Sequence, residues 1–418
     1  MPPFPVAPLS LPRRLAGAAL LAFSAMANAA DAPAAEAARP AVGVLLNEAQ
    51  ALIARSEGAG AVARLQAAEA LAPLNAYEAF MLQRLRGAAA LQTGDLAGAQ
   101  SAFEQVLAAQ RLTPDEQRQT LAALGQTLYR AKDYAAAARW LQRYAEAGGS
   151  EAEVLALRAP ALYFAKDTAG ARALLLQATE ADAAAGRTTP LPTWRLLAGI
   201  QRQLADEPGY RRSLRAMAMQ HPQPALWAER VQRELGDPAA WPERQWLDVQ
   251  RLLHAAGAID RTEAVLALAA EAQQAGFPGE ALRVLDQALA RPGLADAERA
   301  ALSARRASTQ RPAEADRRQR PRDEAAALKA RDGQALVALG WAWATEGEPV
   351  TGLPLIAQGL QRGGLARAGE ARLHQGMALA LAGRPAEAQA ALQQVQGEPA
   401  LVALAGLWAD FAARRGAP

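Results

Sequence analysis

The side chains able to do acid–base, nucleophilic or metal chemistry are few and scattered. The 418-residue chain has three histidines, His221, His254 and His374, and no cysteine. A metal centre needs ligands that converge, as two histidines one helical turn apart do, but neither H-x-x-x-H nor H-E-x-x-H occurs. His221 precedes Pro222 at an expected helix end, where capping is its ordinary role. Without cysteine there is no disulfide framework, thiolate nucleophile, Cys-ligated zinc or iron–sulfur cluster. No G-x-x-x-x-G-K-[ST] loop and no strand-borne G-x-G-x-x-G offers backbone N–H groups to a phosphate, and there is no G-x-S-x-G elbow. Carboxylate pairs such as Glu151 and Glu153 fall at helix starts, where negative charge complements the helix dipole. The expectation is a protein that is not an enzyme and carries no metal and no cofactor. The competing reading, an enzyme with a site hidden between structural units, requires a tight cluster of buried ionisable groups.

The elements that would position any site repeat along the chain. A glycine is followed five residues later by a small residue and nine later by a large apolar one at Gly94/Ala99/Phe103, Gly276/Ala281/Leu285, Gly347/Gly352/Ile356 and Gly383/Ala388/Leu392. Lys132/Ala137/Leu141 and Lys166/Ala171/Leu175 keep the last two positions. Seven residues before each start stands a small residue: Gly87, Gly125, Ala159, Ala269, Gly340 or Gly376. The spacing predicts two antiparallel helices per unit, in contact at the small residues, where a larger side chain would overpack by about 1–3 kcal/mol. The turn glycine supplies a left-handed C-cap, and Asp95, Asp133 and Asp167 are expected N-caps of second helices. Such hairpins cannot bury their apolar faces alone and must stack. Clear units cover 76–184, 258–291 and 332–396. Between them Trp194 to Trp227 keeps a looser version, and helices from Ala225 and Trp241 continue the stack.

This pattern resembles the tetratricopeptide repeat family; the small residues at 99, 137 and 171 recur at intervals close to that family's 34 residues. The resemblance implies an all-α fold, a right-handed superhelical solenoid of stacked helix-turn-helix repeats, and a concave groove that holds a protein or peptide. The family's groove positions fall here on Met81, Arg84 and Leu91, then Gln126, Tyr129 and Arg130, then Tyr163 and Phe164, and later Val337, Trp341, Leu373 and Met377. Arg84, Gln126, Tyr129, Arg130, Tyr163, Phe164 and Trp341 suit an extended peptide by stacking and hydrogen bonding; the competing role for the aromatics is core between repeats. Pro160 is expected to kink the first helix of its unit. The Lys and Asn of the family's carboxylate clamp are missing. The run around Trp194, Tyr210, His221-Pro222 and Leu226-Trp227, and the C-terminal segment from Glu370 to Trp408, are similar to exported bacterial members that accompany the TonB–ExbB–ExbD system.

Location follows from the start of the chain. Arg13 and Arg14 precede an uncharged apolar stretch from Leu15 to Ala27, and Ala27-Asn28-Ala29 has the small-x-small pattern of a cleavage site. Residues 1–29 therefore read as a signal peptide and 30–40 as a flexible leader, with the periplasm of a Gram-negative bacterium as destination. Removing 1–29 takes the formal charge from +3 to +1, so a pI near 9.4 gives no reason to expect a nucleic-acid partner. No later stretch is apolar and long enough to span a membrane.

One segment departs from the repeat. Residues 308–322, within an Arg-rich run that starts at Arg305, contain Pro312 and Pro321 as expected helix breakers. They read as a solvated linker between an array at 41–307 and C-terminal repeats at 323–418. The function implied is a non-enzymatic periplasmic scaffold binding an envelope protein or peptide in its groove. The alternative is a structural adaptor in cell-wall, secretion or surface-polymer assembly that works through its convex face or the linker.

Overall fold

The computed structural model describes residues 37–236 and 241–416. The expected signal peptide and the leader as far as residue 36 lie outside the described residues. Among those residues all regular structure is helical, in two compact units that divide between Ala205 and Asp206.

The first unit holds α1 (Pro40–Ala54), α2 (Gly58–Glu69), α3 (Ala76–Thr93), α4 (Leu96–Ala108), α5 (Pro114–Arg130), α6 (Tyr134–Glu146), α7 (Ala152–Leu155), α8 (Arg158–Phe164), α9 (Thr168–Ala184) and α10 (Leu191–Gln203). Packing is serial, each hairpin against the next, as in a helical solenoid. The contact rule expected from sequence is visible in atoms. A Cβ added to Gly87 would lie 2.8 Å from the Phe103 ring, and one added to Gly125 would lie 2.8 Å from Leu141. Each early small residue thus makes room for the large residue of its own second helix. At the turns Gly94, Lys132 and Lys166 take φ of 80°, 64° and 69°. The next residue's N–H then reaches back to a carbonyl of the first helix, Asp95 to Ala90 and Asp133 to Leu128, closing the helix end. Asp95, Asp133 and Asp167 accept from the N–H of Gly98, Ala136 and Gly170, which makes them the expected N-caps.

Two features of this unit differ from expectation. The hairpin α1/α2 follows the same rule, with Ala49, Ala61 and Leu65 all buried, but Ser56 at φ 64° replaces the turn glycine and hid it. The last leader residues are also tied down. Arg39 donates to both oxygens of the buried Glu78, and Asn75 Nδ2 donates to the Ala37 carbonyl. Glu78 is held down to about pKa 2, chiefly by the Arg39 hydrogen bonds against a burial effect that raises it. The kink expected at Pro160 is a break between α7 and α8 at Ala156–Leu157, because the proline ring excludes a helical carbonyl four residues earlier.

The second unit holds α11 (Glu207–Gln220), α12 (Pro224–Leu235), α13 (Glu243–Ala255), α14 (Thr262–Gln274), α15 (Pro278–Leu289), α16 (Asp296–Lys329), α17 (Gln334–Glu346), α18 (Pro349–Arg362), α19 (Ala368–Leu381), α20 (Pro385–Leu392) and α21 (Pro399–Arg415). Hairpins α14/α15, α17/α18 and α19/α20 turn at Gly276, Gly347 and Gly383, all with positive φ. The final helix does not simply extend the stack: α21 packs on α20 and α19 and also on α11, α12 and α13, so this unit closes upon itself.

The expected linker at 308–322 is corrected here. It is the middle of α16, a continuous 34-residue helix that runs through Pro312 and Pro321. Its buried residues Leu302, Thr309, Ala313, Arg320 and Ala327 form a stripe at heptad-like spacing, and tertiary packing on both sides of each proline outweighs the lost N–H. Three of its arginines are paired within the unit. Arg320 pairs with Asp316 of its own helix and Glu346 of α17, Arg317 also reaches Glu346, and Arg306 reaches Asp286 of α15.

Candidate functional site

The first unit brings most of the expected groove aromatics together. Tyr129 lies one turn before Lys132, and Tyr163 and Phe164 just before Lys166, so these rings stand at the turn ends of successive hairpins. Tyr134, which opens α6 and which the repeat pattern did not single out, links them. Its ring is 5.3 Å from Tyr129 edge to face and 4.8 Å from Phe164, and Phe164 lies 5.5 Å from Tyr163. The four rings form one strip across two hairpins. Tyr129 is buried, and is core; Tyr134, Tyr163 and Phe164 are half-buried. The Tyr163 hydroxyl donates to Gln203 Oε1 at 3.2 Å. On α5, Gln126 is half-buried and Arg130 exposed, on the i, i+3, i+4 face that Gln126 begins and that includes Tyr129. Arg84 spans to the start of α5, where its Nη2 lies 3.0 Å from Glu116 Oε1, so its charge is used between hairpins.

Trp341, the remaining candidate, is in the second unit and in a different setting. It is 1% exposed, stacked on the His374 imidazole at 4.4 Å and 4° between planes, with the Arg251 guanidinium 5.1 Å from its ring. Around it lies the cluster of buried ionisable groups that the competing enzyme reading required. Arg251 donates to both oxygens of Glu280 and to Asp248 Oδ1; His374 Nε2 donates to Asp248 Oδ2 at 2.9 Å. Burial alone would raise the Asp248 carboxyl, but His374 and Arg251 hold it below the usual range. Burial likewise opposes the Arg251 charge, and Glu280 with Asp248 raises its affinity for the proton regardless. Each oxygen of both carboxylates thus accepts a hydrogen bond from Arg251 or His374, a tie between α13, α15 and α19. A second buried tie joins Arg230 of α12 and Arg215 of α11 to Asp410 of α21. Among the described residues no group of three or more His, Asp or Glu side chains could hold a metal ion.

Two cavities flank this cluster, and Arg251 and Trp341 line both. One, of about 600 Å³, has a mixed wall in which Asp248, Glu271 and Glu370 face Arg251, Arg367 and His374. Its acids have partners: Gln250 donates to Glu271, and Gln245 donates to Glu370. The other, of about 510 Å³, is lined by Leu268, Leu381, Trp408 and Phe411 on its apolar side, with four arginines and one glutamate. His254 also lines it, its Nε2 3.0 Å from Gln287 Oε1, and burial lowers the imidazole below its ordinary value.

Sequence reasoning missed Asp248, Arg251, Glu280 and the joining of His374 to them. The only local signal was Gln245, Asp248 and Arg251 at i, i+3 spacing on one face of α13, all three buried.

Two solved structures are similar over most of the chain. The Naa15/Naa10 complex bound to HypK-THB is 12% identical, with 84% of this chain and 62% of that chain covered at a TM-score of 0.31. The TPR domain of P58(IPK) is 14% identical, with 86% of this chain and 95% of that chain covered at a TM-score of 0.22. This chain thus spans less than two thirds of the first protein, and at these TM-scores neither likeness bears on function. No family model matches the sequence, and no curated protein does.

Proposed function

We propose that this chain is a non-catalytic helical-repeat scaffold that holds an extended segment of a protein partner along the aromatic strip of its first unit. The observation that carries the reading is the line Tyr134–Phe164–Tyr163, three rings half-open to solvent across adjacent hairpins beside Gln126 and Arg130. Rings held against one another at the ends of adjacent hairpins offer rigid stacking area at low entropic cost, and the flanking amide and guanidinium suit peptide carbonyls. The n-region, apolar stretch and Ala27-Asn28-Ala29 support export to a Gram-negative periplasm. A partner in the cell envelope follows from that placement, the TonB–ExbB–ExbD complex being the first to test. The non-catalytic reading is supported by the pairing of the buried cluster around Arg251, in which each oxygen of Asp248 and Glu280 already accepts a hydrogen bond. The adaptor alternative loses its free linker at 308–322, which is the middle of α16 and has Arg317 and Arg320 already paired within the unit.

The test is in-cell photocrosslinking from position 163, with position 139 on the exposed side of α6 as control. One dominant envelope protein, captured from 163 but not 139 and lost with Phe164→Ala while helicity is unchanged, is the expected result. Equal capture from both positions, or none from 163, overturns the strip assignment. Position 129 is unsuitable because its ring is core.

A further inference from the structure

We propose that the 510 Å³ cavity of the second unit binds a small organic anion, an apolar body carrying a carboxylate or phosphate group. Independent of any partner for the first unit, the wall of this cavity is unbalanced in charge. Of the four arginines lining this cavity, Arg251 is neutralised by Glu280 and Asp248. Arg283, Arg414 and Arg415 form no ion pair among the described residues, so this wall carries surplus positive charge, whereas the neighbouring cavity sets three carboxylates against two arginines.

Arg283 is the centre of that surplus. Its Nε donates to the Thr345 carbonyl and its Nη1 to Gln287 Oε1, which leaves Nη2 without a partner. Burial lowers its proton affinity and that of Arg414, the mark of guanidinium groups desolvated without full compensation. A planar guanidinium that is weakly hydrated and rich in donors matches carboxylate and phosphate oxygens. One further donor of this wall is buried without a hydrogen-bond partner, Nε1 of Trp341. Buried polar atoms are normally satisfied, and an acceptor oxygen of the ligand would satisfy it.

The apolar part of the lining fixes the rest of the ligand. Trp408, Phe411, Leu268 and Leu381 are apolar, so a bare inorganic anion would leave them without a partner. The combination of an apolar lining with a few placed polar groups is that of a small-molecule site. Exposed Gln287 and Arg415 on the lining give the cavity a route to solvent.

The experiment is isothermal titration of the full chain with three isosteric probes, 2-naphthoate, 2-naphthyl phosphate and 2-naphthol, and with inorganic phosphate. One site per chain for at least one naphthyl anion is expected, with 2-naphthol and inorganic phosphate each at least tenfold weaker. Whichever anion binds more tightly identifies the headgroup. Arg283→Ala is expected to weaken that binding at least tenfold, and Leu268→Trp, which fills the cavity without touching a charge, to abolish it while helicity stays unchanged. The proposal is overturned if neither naphthyl anion binds at millimolar concentration, if 2-naphthol binds as well as they do, or if both variants bind like the parent.

Discussion

Among the described residues the first unit buries one charged side chain, Glu78, whereas the second buries Arg230, Asp248, Arg251, Glu280, Arg320 and Asp410. Both are built from the same hairpin, so the difference is not one of secondary structure. In the first unit, contacts are mainly between sequence neighbours, and small-into-large packing at Gly87 and Gly125 needs no charge. In the second, α21 and α19 meet α11, α12 and α13, elements far away in sequence. Apolar faces alone specify such a meeting weakly, because alanine-rich helices slide past one another at little cost. Arg230–Asp410 and His374–Asp248 each demand one register. We read these buried polar pairs as the devices that fix closure, a role for which directional polar contacts are suited even where they add little net stability.

The largest effect expected on this comparison comes from Arg251→Ala. It leaves Glu280 and Asp248 buried without their shared cation, at a cost of about 3–5 kcal/mol in urea unfolding. Hydrogen exchange should place the loss in α13, α15 and α19, with the first unit protected as before. A cost below about 1 kcal/mol would mean that water reaches the cluster and that closure does not depend on it.

The next contrast concerns glycine. Against Gly125 stands the Leu141 side chain, which can shift, so Gly125→Ala sets a mild clash against better helix propensity and should change stability by less than about 1 kcal/mol. Gly340 faces backbone instead: a Cβ there would lie 2.5 Å from the Gly352 carbonyl, as α17 and α18 approach through glycines on both helices. Gly340→Ala should therefore cost about 1–3 kcal/mol, the range for overpacking, and lower the thermal midpoint. Equal effects at the two positions would show that α17 and α18 can separate freely.

The sequence made the hairpins legible because their rule is local. A small residue, a turn and a large residue at fixed spacing record a contact within some twenty residues, and Gly94, Lys132 and Lys166 sit at turns as read. The rule failed at α1/α2 only because Ser56 occupies the turn, and at 308–322 because proline weighs heavily in isolation and lightly in a helix packed along its length. The candidate site divided in the same way. Tyr129, Tyr163 and Phe164 converge because they share one register on neighbouring hairpins. That Tyr129 is core and Tyr134 completes the strip depends on ring orientation, which spacing does not encode. Asp248 with His374 was out of reach: 126 residues separate them, and no periodicity links α13 to α19.

The smallest effect tests the turns themselves. Lys132 and Lys166 adopt left-handed backbone that costs a side-chain-bearing residue about 1–2 kcal/mol, yet the second unit places glycine at the same position of all three of its repeat turns. Lys132→Gly removes that strain and adds chain entropy to the unfolded state, so the two terms nearly cancel and a gain of about 0.5 kcal/mol is expected. The reciprocal Gly276→Lys acquires the strain with only part of the entropic return, and should lose about 0.5–1 kcal/mol. If Lys132→Gly instead destabilises the chain, the lysine contributes something beyond the turn. Its exposed position beside Tyr134, at the end of the aromatic strip, would then make it a contact for the partner's backbone or acidic groups. Stability and partner capture measured on the same variant separate these causes: strain relief moves the unfolding midpoint alone, and a lost contact moves capture as well.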